Sequence, residues 1–168
     1  LKRGMTSNEF AAVWVTGKTT RWDSLVQGAS GEVPIHVYTR SDACGAAETW
    51  AKYLGGNQQD LKAVGVYGDP GLAEAVRKDK LGIGFNNINF VYDAKNKLPV
   101  AGLKIIPIDV NGNGKVDKEE EFYANLDELT KAIGDGRYPS PPARALHLVS
   151  FGQPKNMGRG ETGGATAL

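Results

Sequence analysis

Residues Val37 to Leu54 read VYTRSDACGAAETWAKYL. Val37, Tyr38 and Thr39 are β-formers, and the run Val33 to Thr39 reads as a buried strand. The chain then turns at Cys44-Gly45 and continues as a helix over Ala46 to Leu54, closed by Gly55-Gly56. A strand that hands over directly to a helix is the repeating unit of an α/β sheet. Here the turn also carries an arginine, an aspartate and a thiol, which is a chemical question as much as a structural one.

The rest of the chain extends the same alternation. Thr6-Ser7-Asn8-Glu9 has capping-box spacing, and Phe10, Val13 and Trp14 follow as an apolar helical face that Gly17 ends. Trp22 to Leu25 reads as a second short helical turn, and Ala63 to Tyr67 as a weaker strand. Asp69-Pro70 predicts an N-cap followed by proline at the first position of a helix that runs to Lys78. Gly82 to Phe85, Ile88 to Tyr92, Leu103 to Ile108 and Leu146 to Ser150 read as strand segments, and Leu126 to Ile133 as a helix. The predicted class is α/β: a mixed, mainly parallel sheet flanked by helices. One domain over 1–156 is expected. The Gly-, Thr- and Ala-rich stretch 157–168 reads as a disordered tail or linker.

Composition excludes several functions. Twenty basic side chains against nineteen acidic ones leave a net charge of +1, with no footprint for nucleic acid or an anionic membrane surface. No apolar run approaches the roughly 20 residues of a membrane span. The single cysteine, Cys44, excludes an internal disulfide without fixing the compartment. The chain opens at Leu1 without an initiator Met or a signal-peptide pattern, so it reads as a piece of a longer protein.

A helix start has unpaired N–H groups and the positive end of the helix dipole. An anion at the turn 40–46 would meet those donors, with Gly45 permitting close approach. Arg40 can clamp an oxyanion bidentately, and Asp42 can orient that arginine or take a proton from the anion. The local alternative is plainer: Asp42 as an N-cap, Arg40 as an exposed cation, Gly45 as a turn residue.

A second motif follows Ile108. DVNGNGKVDKEE, Asp109 to Glu120, matches the EF-hand loop. Oxygen ligands fall at loop positions 1, 3, 5, 9 and 12, which are Asp109, Asn111, Asn113, Asp117 and Glu120, and Lys115 offers its carbonyl at position 7. Gly114 stands where the loop turns sharply, and Val116 can anchor it. Such a set suits Ca2+ in a structural role, because a strand enters where a sensor would have a helix. The alternative is a polar Asn-Gly hairpin that binds nothing.

Four segments in order also carry a family resemblance. Glu9-Phe10 through Gly17-Lys18 to Arg21-Trp22-Asp23, the strand Pro34 to Asp42, Leu81-Gly82-Ile83-Gly84-Phe85, and Arg144 to Val149 resemble segments of the substrate-binding proteins of phosphate-type ABC transporters, over about Thr6 to Pro154. The resemblance implies the second lobe of a two-lobed periplasmic-binding-protein-like fold. A small inorganic anion would lie between the lobes, and the first lobe and an ABC permease would be partners. The location implied is periplasmic or otherwise extracytoplasmic, and the function binding rather than catalysis. Carried over, the anion site comprises Arg40, Ser41, Asp42, Cys44, Gly45 and Ala46. The family's turn has serine and threonine hydroxyls where this chain has Cys44 and Ala46. Each hydrogen bond so lost to a charged ligand is worth about 1.5–3 kcal/mol. That departure supports, as an alternative, an anion-sensing or adhesion domain of the same fold that has lost transport.

Other readings are weaker. Cys44 at a helix start would need a histidine to act as an enzyme nucleophile, and His36 and His147 both lie in strand-like runs. Trp14 and Trp50 sit at helical apolar positions and read as core. Tyr138 to Pro142 reads as a rigid connector.

Overall fold

β1, His36–Arg40, is the middle strand of a three-stranded parallel sheet. A computed structural model describes residues 2–26 and 31–144 of the chain. On one side β1 pairs with β2, Val64–Val66, in the register Tyr38↔Val64, Thr39↔Gly65 and Arg40↔Val66. On the other it pairs with β3, Gly82–Ile83, through His36↔Gly82 and Val37↔Ile83. Parallel neighbours require crossovers. α2, Gly45–Tyr53, links β1 to β2, and α3, Asp69–Lys78, links β2 to β3. The strand order β2-β1-β3 makes the chain step to one side of β1 and then return to the other. In open α/β sheets the crevice outside the carboxyl ends of the strands at such a reversal is where ligands bind.

α1, Ser7–Trp14, forms as its sequence dictates. The Thr6 hydroxyl accepts the Glu9 amide at 3.2 Å, and the Glu9 carboxylate accepts the Thr6 amide at 2.9 Å. Arg3 braces the same carboxylate through both of its terminal nitrogens. The helix buries Phe10, Val13 and Trp14 against Trp50 of α2. The rings of Trp14 and Trp50 meet edge to face at 5.4 Å, and those of Phe10 and Trp50 at 5.1 Å. Ile35, Leu54, Leu61, Ile83 and Ile108 complete this core, so both tryptophans are buried as expected.

A second apolar cluster gathers around α4, Leu126–Gly134, where Leu126, Leu129 and Ala132 pack on Tyr92 and Phe122. Asn125 caps this helix by accepting the Glu128 amide at 2.9 Å.

The structure departs from the sequence expectation in three places. Leu103 to Ile108 forms no strand and makes only one bridge, Met5↔Ile108. Pro107 has no N–H to give a ladder, and its carbonyl instead accepts the Met5 amide at 2.9 Å. Ile88–Phe90 is a single 3-10 turn rather than a strand. α3 is capped by Gly68, with Asp69 already its first residue, because Asp69 is drawn away to Arg40. The predicted strand Leu146 to Ser150, His147 and the tail 157–168 lie outside the described residues.

Candidate functional site

Arg40 ends β1 at the carboxyl edge of the sheet, with its side chain only 7% exposed. Nε donates to Asp42 Oδ1 at 2.9 Å, Nη2 donates to Asp42 Oδ2, and Nη1 donates to Asp69 Oδ1. The two carboxylates are fixed in turn. Asp42 Oδ1 accepts the Gly68 amide at 3.1 Å, and Asp69 Oδ2 accepts Asn87 Nδ2 at 2.8 Å. The Arg40 guanidinium, and after it the Gly68 N–H, holds the Asp42 carboxyl well below the ordinary carboxylate range. The hydrogen bonds that Arg40 donates to Asp42 raise the arginine's own pKa further still. Asp42 therefore orients the arginine, as one sequence reading had it. Arg40 is buried and tied to two elements rather than exposed or free to clamp.

The first turn of α2 is capped by a thiol. Cys44 Sγ accepts the Ala47 amide at 3.4 Å, which displaces Asp42 from the capping role. The Cys44 amide donates to Gln58 Oε1 at 3.3 Å, and Gln58 Nε2 donates to the Asp42 carbonyl at 2.8 Å. The amides of Gly45 and Ala46 have no acceptor among the described residues. The Ser41 amide donates to the Val66 carbonyl at 3.0 Å, and its side chain is exposed. Glu48 pairs with Lys52 at 3.2 Å along the helix surface, away from the turn. What results is a rigid arginine–carboxylate cluster beside two unpaired amides at the positive end of a helix. His36 hydrogen-bonds Asp79 at 2.6 Å and takes no part with Cys44, so the structure joins no thiol–imidazole pair there.

Asp69, Asn86, Asn87 and Gln58 escaped the sequence reading. Asn86 Nδ2 donates to the Asp69 carbonyl at 2.8 Å, which completes the support of the cluster. Asp69 lies 29 residues from Arg40, and its own neighbourhood signals only a helix start.

The loop Asp109 to Glu120 closes around two buried carboxylates. Asp109 is 1% exposed and Glu120 5%. Asp109 accepts the amides of Gly112 at 2.7 Å and Gly114 at 2.8 Å. Glu120 accepts those of Val110 at 2.8 Å and Asp117 at 3.2 Å. Gly114 turns the loop at φ 81°, which a side chain would resist. Asn111 and Asn113 direct their Nδ2 groups to Asp117 Oδ2 at 2.9 and 2.6 Å, and Lys115 pairs with Asp117 at 3.2 Å. Among the described residues no three His, Cys, Asp or Glu side chains come together as a metal-holding group. Asp117 faces amide and ammonium donors instead of joining Asp109 and Glu120.

The family model for the PBP superfamily domain matches residues 1–167. Three solved structures share the fold. One is described as a possible phosphate binding protein from Planctomyces limnophilus DSM 3776, with TM-score 0.60 and 18% identity over 82% of this chain and 44% of that one. Another is an ABC-type phosphate transport receptor from Vibrio cholerae, with TM-score 0.51 and 17% identity over 83% of this chain and 59% of that one. A third, a candidate phosphate ABC transporter substrate-binding protein from Clostridium perfringens with bound phosphate, aligns at TM-score 0.51 and 21% identity. It covers 62% of this chain and 39% of its own. The chain thus spans between 39% and 59% of the length of these proteins. No curated protein matches it. Among the described residues no helix is long and apolar enough to cross a membrane. With a family model matched over nearly its whole length and the lobe architecture observed, the chain belongs to the PBP superfamily.

Proposed function

We propose that this chain is the oxyanion-binding lobe of an ABC-transporter substrate-binding protein working outside the cytoplasm, with a tetrahedral anion of the phosphate class as ligand. The observation that carries the reading is the placement of Arg40, held by Asp42 and Asp69, beside the unpaired amides that open α2. Unpaired backbone donors at a helix start and a fixed guanidinium suit a small anion. The Cys44 thiol caps the helix with no imidazole beside it, which favours capture over catalysis. Phosphate appears in the descriptions of all three structural neighbours, which adds support of a coarser kind. The first lobe of the cleft and a permease are the partners this function requires. Isothermal titration of the full-length protein against phosphate, sulfate, molybdate and small carboxylates tests it. Heat with phosphate at micromolar concentration is the expected result, and silence from all of them overturns the reading.

The same proposal includes a structural Ca2+ in the loop Asp109 to Glu120. Its support is the full ligand pattern with the two end carboxylates buried and anchored. Binding requires Asn111 and Asn113 to turn their oxygens inward and Asp117 to leave Lys115. The cation would offset the burial of Asp109 and Glu120. Calcium at about 100 times its Kd adds about 2.7 kcal/mol, or roughly 5–10 °C in a domain of this size. Melting with calcium and with EDTA is therefore expected to differ by that amount in the natural protein and not at all in Glu120→Gln. Equal melting in the natural protein removes the metal from the proposal and leaves the anion site standing.

A further inference from the structure

Arg144 lies a hundred residues beyond the strand–turn–helix unit, yet its guanidinium rests on that unit. A Cβ placed on Gly45 would stand 2.6 Å from Arg144 Nη1, 3.0 Å from Cζ and 3.1 Å from Nη2. The bare α-carbon of Gly45 admits the guanidinium to the first turn of α2. Both residues are exposed to solvent. Among the described residues no carboxylate pairs with Arg144.

The charge balance of the turn gives this contact its meaning. Arg40 contributes one positive charge, and Asp42 and Asp69 contribute two negative ones, so the cluster carries one negative charge in excess. Alone, that cluster disfavours an anion. The helix end adds roughly half a positive charge, which does not reverse the sign. Glu48 is engaged by Lys52 on the helix flank. A guanidinium laid against the positive end of a helix is unfavourable by itself, and an oxyanion bound beside it, accepting from both, makes the pairing favourable.

We propose that Arg144 is the ligand-contacting cation of the oxyanion site, gripping the anion together with the Gly45 and Ala46 amides, and that Gly45 is required so that the guanidinium can reach it. On this view Arg40 fixes the turn and donates through the hydrogens its two carboxylates leave spare. The proposal rests on the phosphate-class reading of the site. It also explains how the turn functions with Cys44 and Ala46, which bring no hydroxyl: a charged fork replaces two neutral donors.

The test is a double-mutant cycle in the full-length protein, titrated calorimetrically with inorganic phosphate, with circular dichroism and melting to confirm the fold. Arg144→Gln is expected to weaken binding by about 10- to 100-fold, the worth of a charge-assisted pair. Gly45→Ala is expected to weaken it about 10-fold, because the new methyl displaces a flexible side-chain end and not backbone. In the Arg144→Gln background the alanine should then cost less than about twofold, since it acts through the guanidinium. Natural affinity in Arg144→Gln, or full additivity of the two changes, overturns the assignment while the phosphate reading stands. If the natural protein itself gives no heat with phosphate, both fall together. Should Arg144→Gln fail to fold, Gly45→Ala against Gly45→Ala/Arg144→Lys decides, and equal affinity of Gly45→Ala and the natural protein overturns the proposal.

Discussion

In an Arg40→Met variant, phosphate affinity falls by about 100-fold or more, and the domain melts about 5–10 °C lower. Methionine matches the bulk of the side chain, so little of the effect comes from packing. What is lost is the one cation between Asp42 and Asp69, which are held toward the same guanidinium. Left facing each other, the two carboxylates repel, and both hydrogen-bonded links from β1 to the turn and to α3 vanish. The melting shift is set below that of a fully buried pair because the carboxylates keep 26% and 18% of their surface in water. The acid behaviour carries a signature. Asp42 has its folded pKa depressed, chiefly by Arg40. Its contribution is therefore fully present above the unfolded pKa near 4 and is lost as pH falls through the lower folded value. The gap in melting temperature between natural protein and variant should be full at neutral pH and shrink progressively below pH about 4. A gap that stays constant down to the acid limit contradicts the assignment of the pair. Arg40→Lys separates charge from geometry: it keeps the cation, loses the fork, and should recover part of the stability and little of the affinity.

The turn was legible in the sequence because its signals are local. A β-rich run, a Cys-Gly step and an Ala-rich helix announce themselves within eighteen residues, and the capping box at Thr6 and Glu9 is a spacing rule. Only half of the use of Arg40 was legible, its link to Asp42. Its second partner, Asp69, arrives through a parallel crossover whose register no short window contains. The same limit hid Arg144 against Gly45, since nothing in the sequence around that arginine sets it apart from any other surface cation. The strand misread at Leu103 to Ile108 shows the opposite failure. Its apolar residues have the right composition, but Pro107 withholds a donor, and the segment packs its apolar side chains without forming a ladder. Apolar periodicity reports burial, while a strand also demands an unbroken row of amides. In the acidic loop the residue pattern was legible, and the side-chain directions were not. Asparagine amides can present nitrogen or oxygen, and a cation decides between them.

The other large effect lies in the core and separates stability from ligand binding. Trp14→Ala should destabilise the domain by about 3–5 kcal/mol, which lowers its melting temperature by about 8–16 °C. The ring is 1% exposed and sits where α1, α2 and β1 meet, against Phe10, Trp50 and Phe85. Truncation leaves a cavity that two edge-to-face aromatic partners cannot close without abandoning each other. It also removes the Nε1 donor to the Tyr38 carbonyl at 3.2 Å. Tyr38 stands two residues before Arg40, so the end of β1 loosens, but the links from Arg40 to Asp42 and Asp69 survive. Phosphate affinity measured well below the new melting temperature should therefore change by no more than a few fold. Phe122→Ala, placed in the cluster around α4, is the control for cavity cost remote from the turn. If Trp14→Ala and Arg40→Met abolish binding alike, the turn has no rigidity of its own and is only as ordered as the core beneath it. If Trp14→Ala melts early yet binds, the ion-paired turn is a preorganised unit, and the aromatic core serves to keep the lobe folded around it.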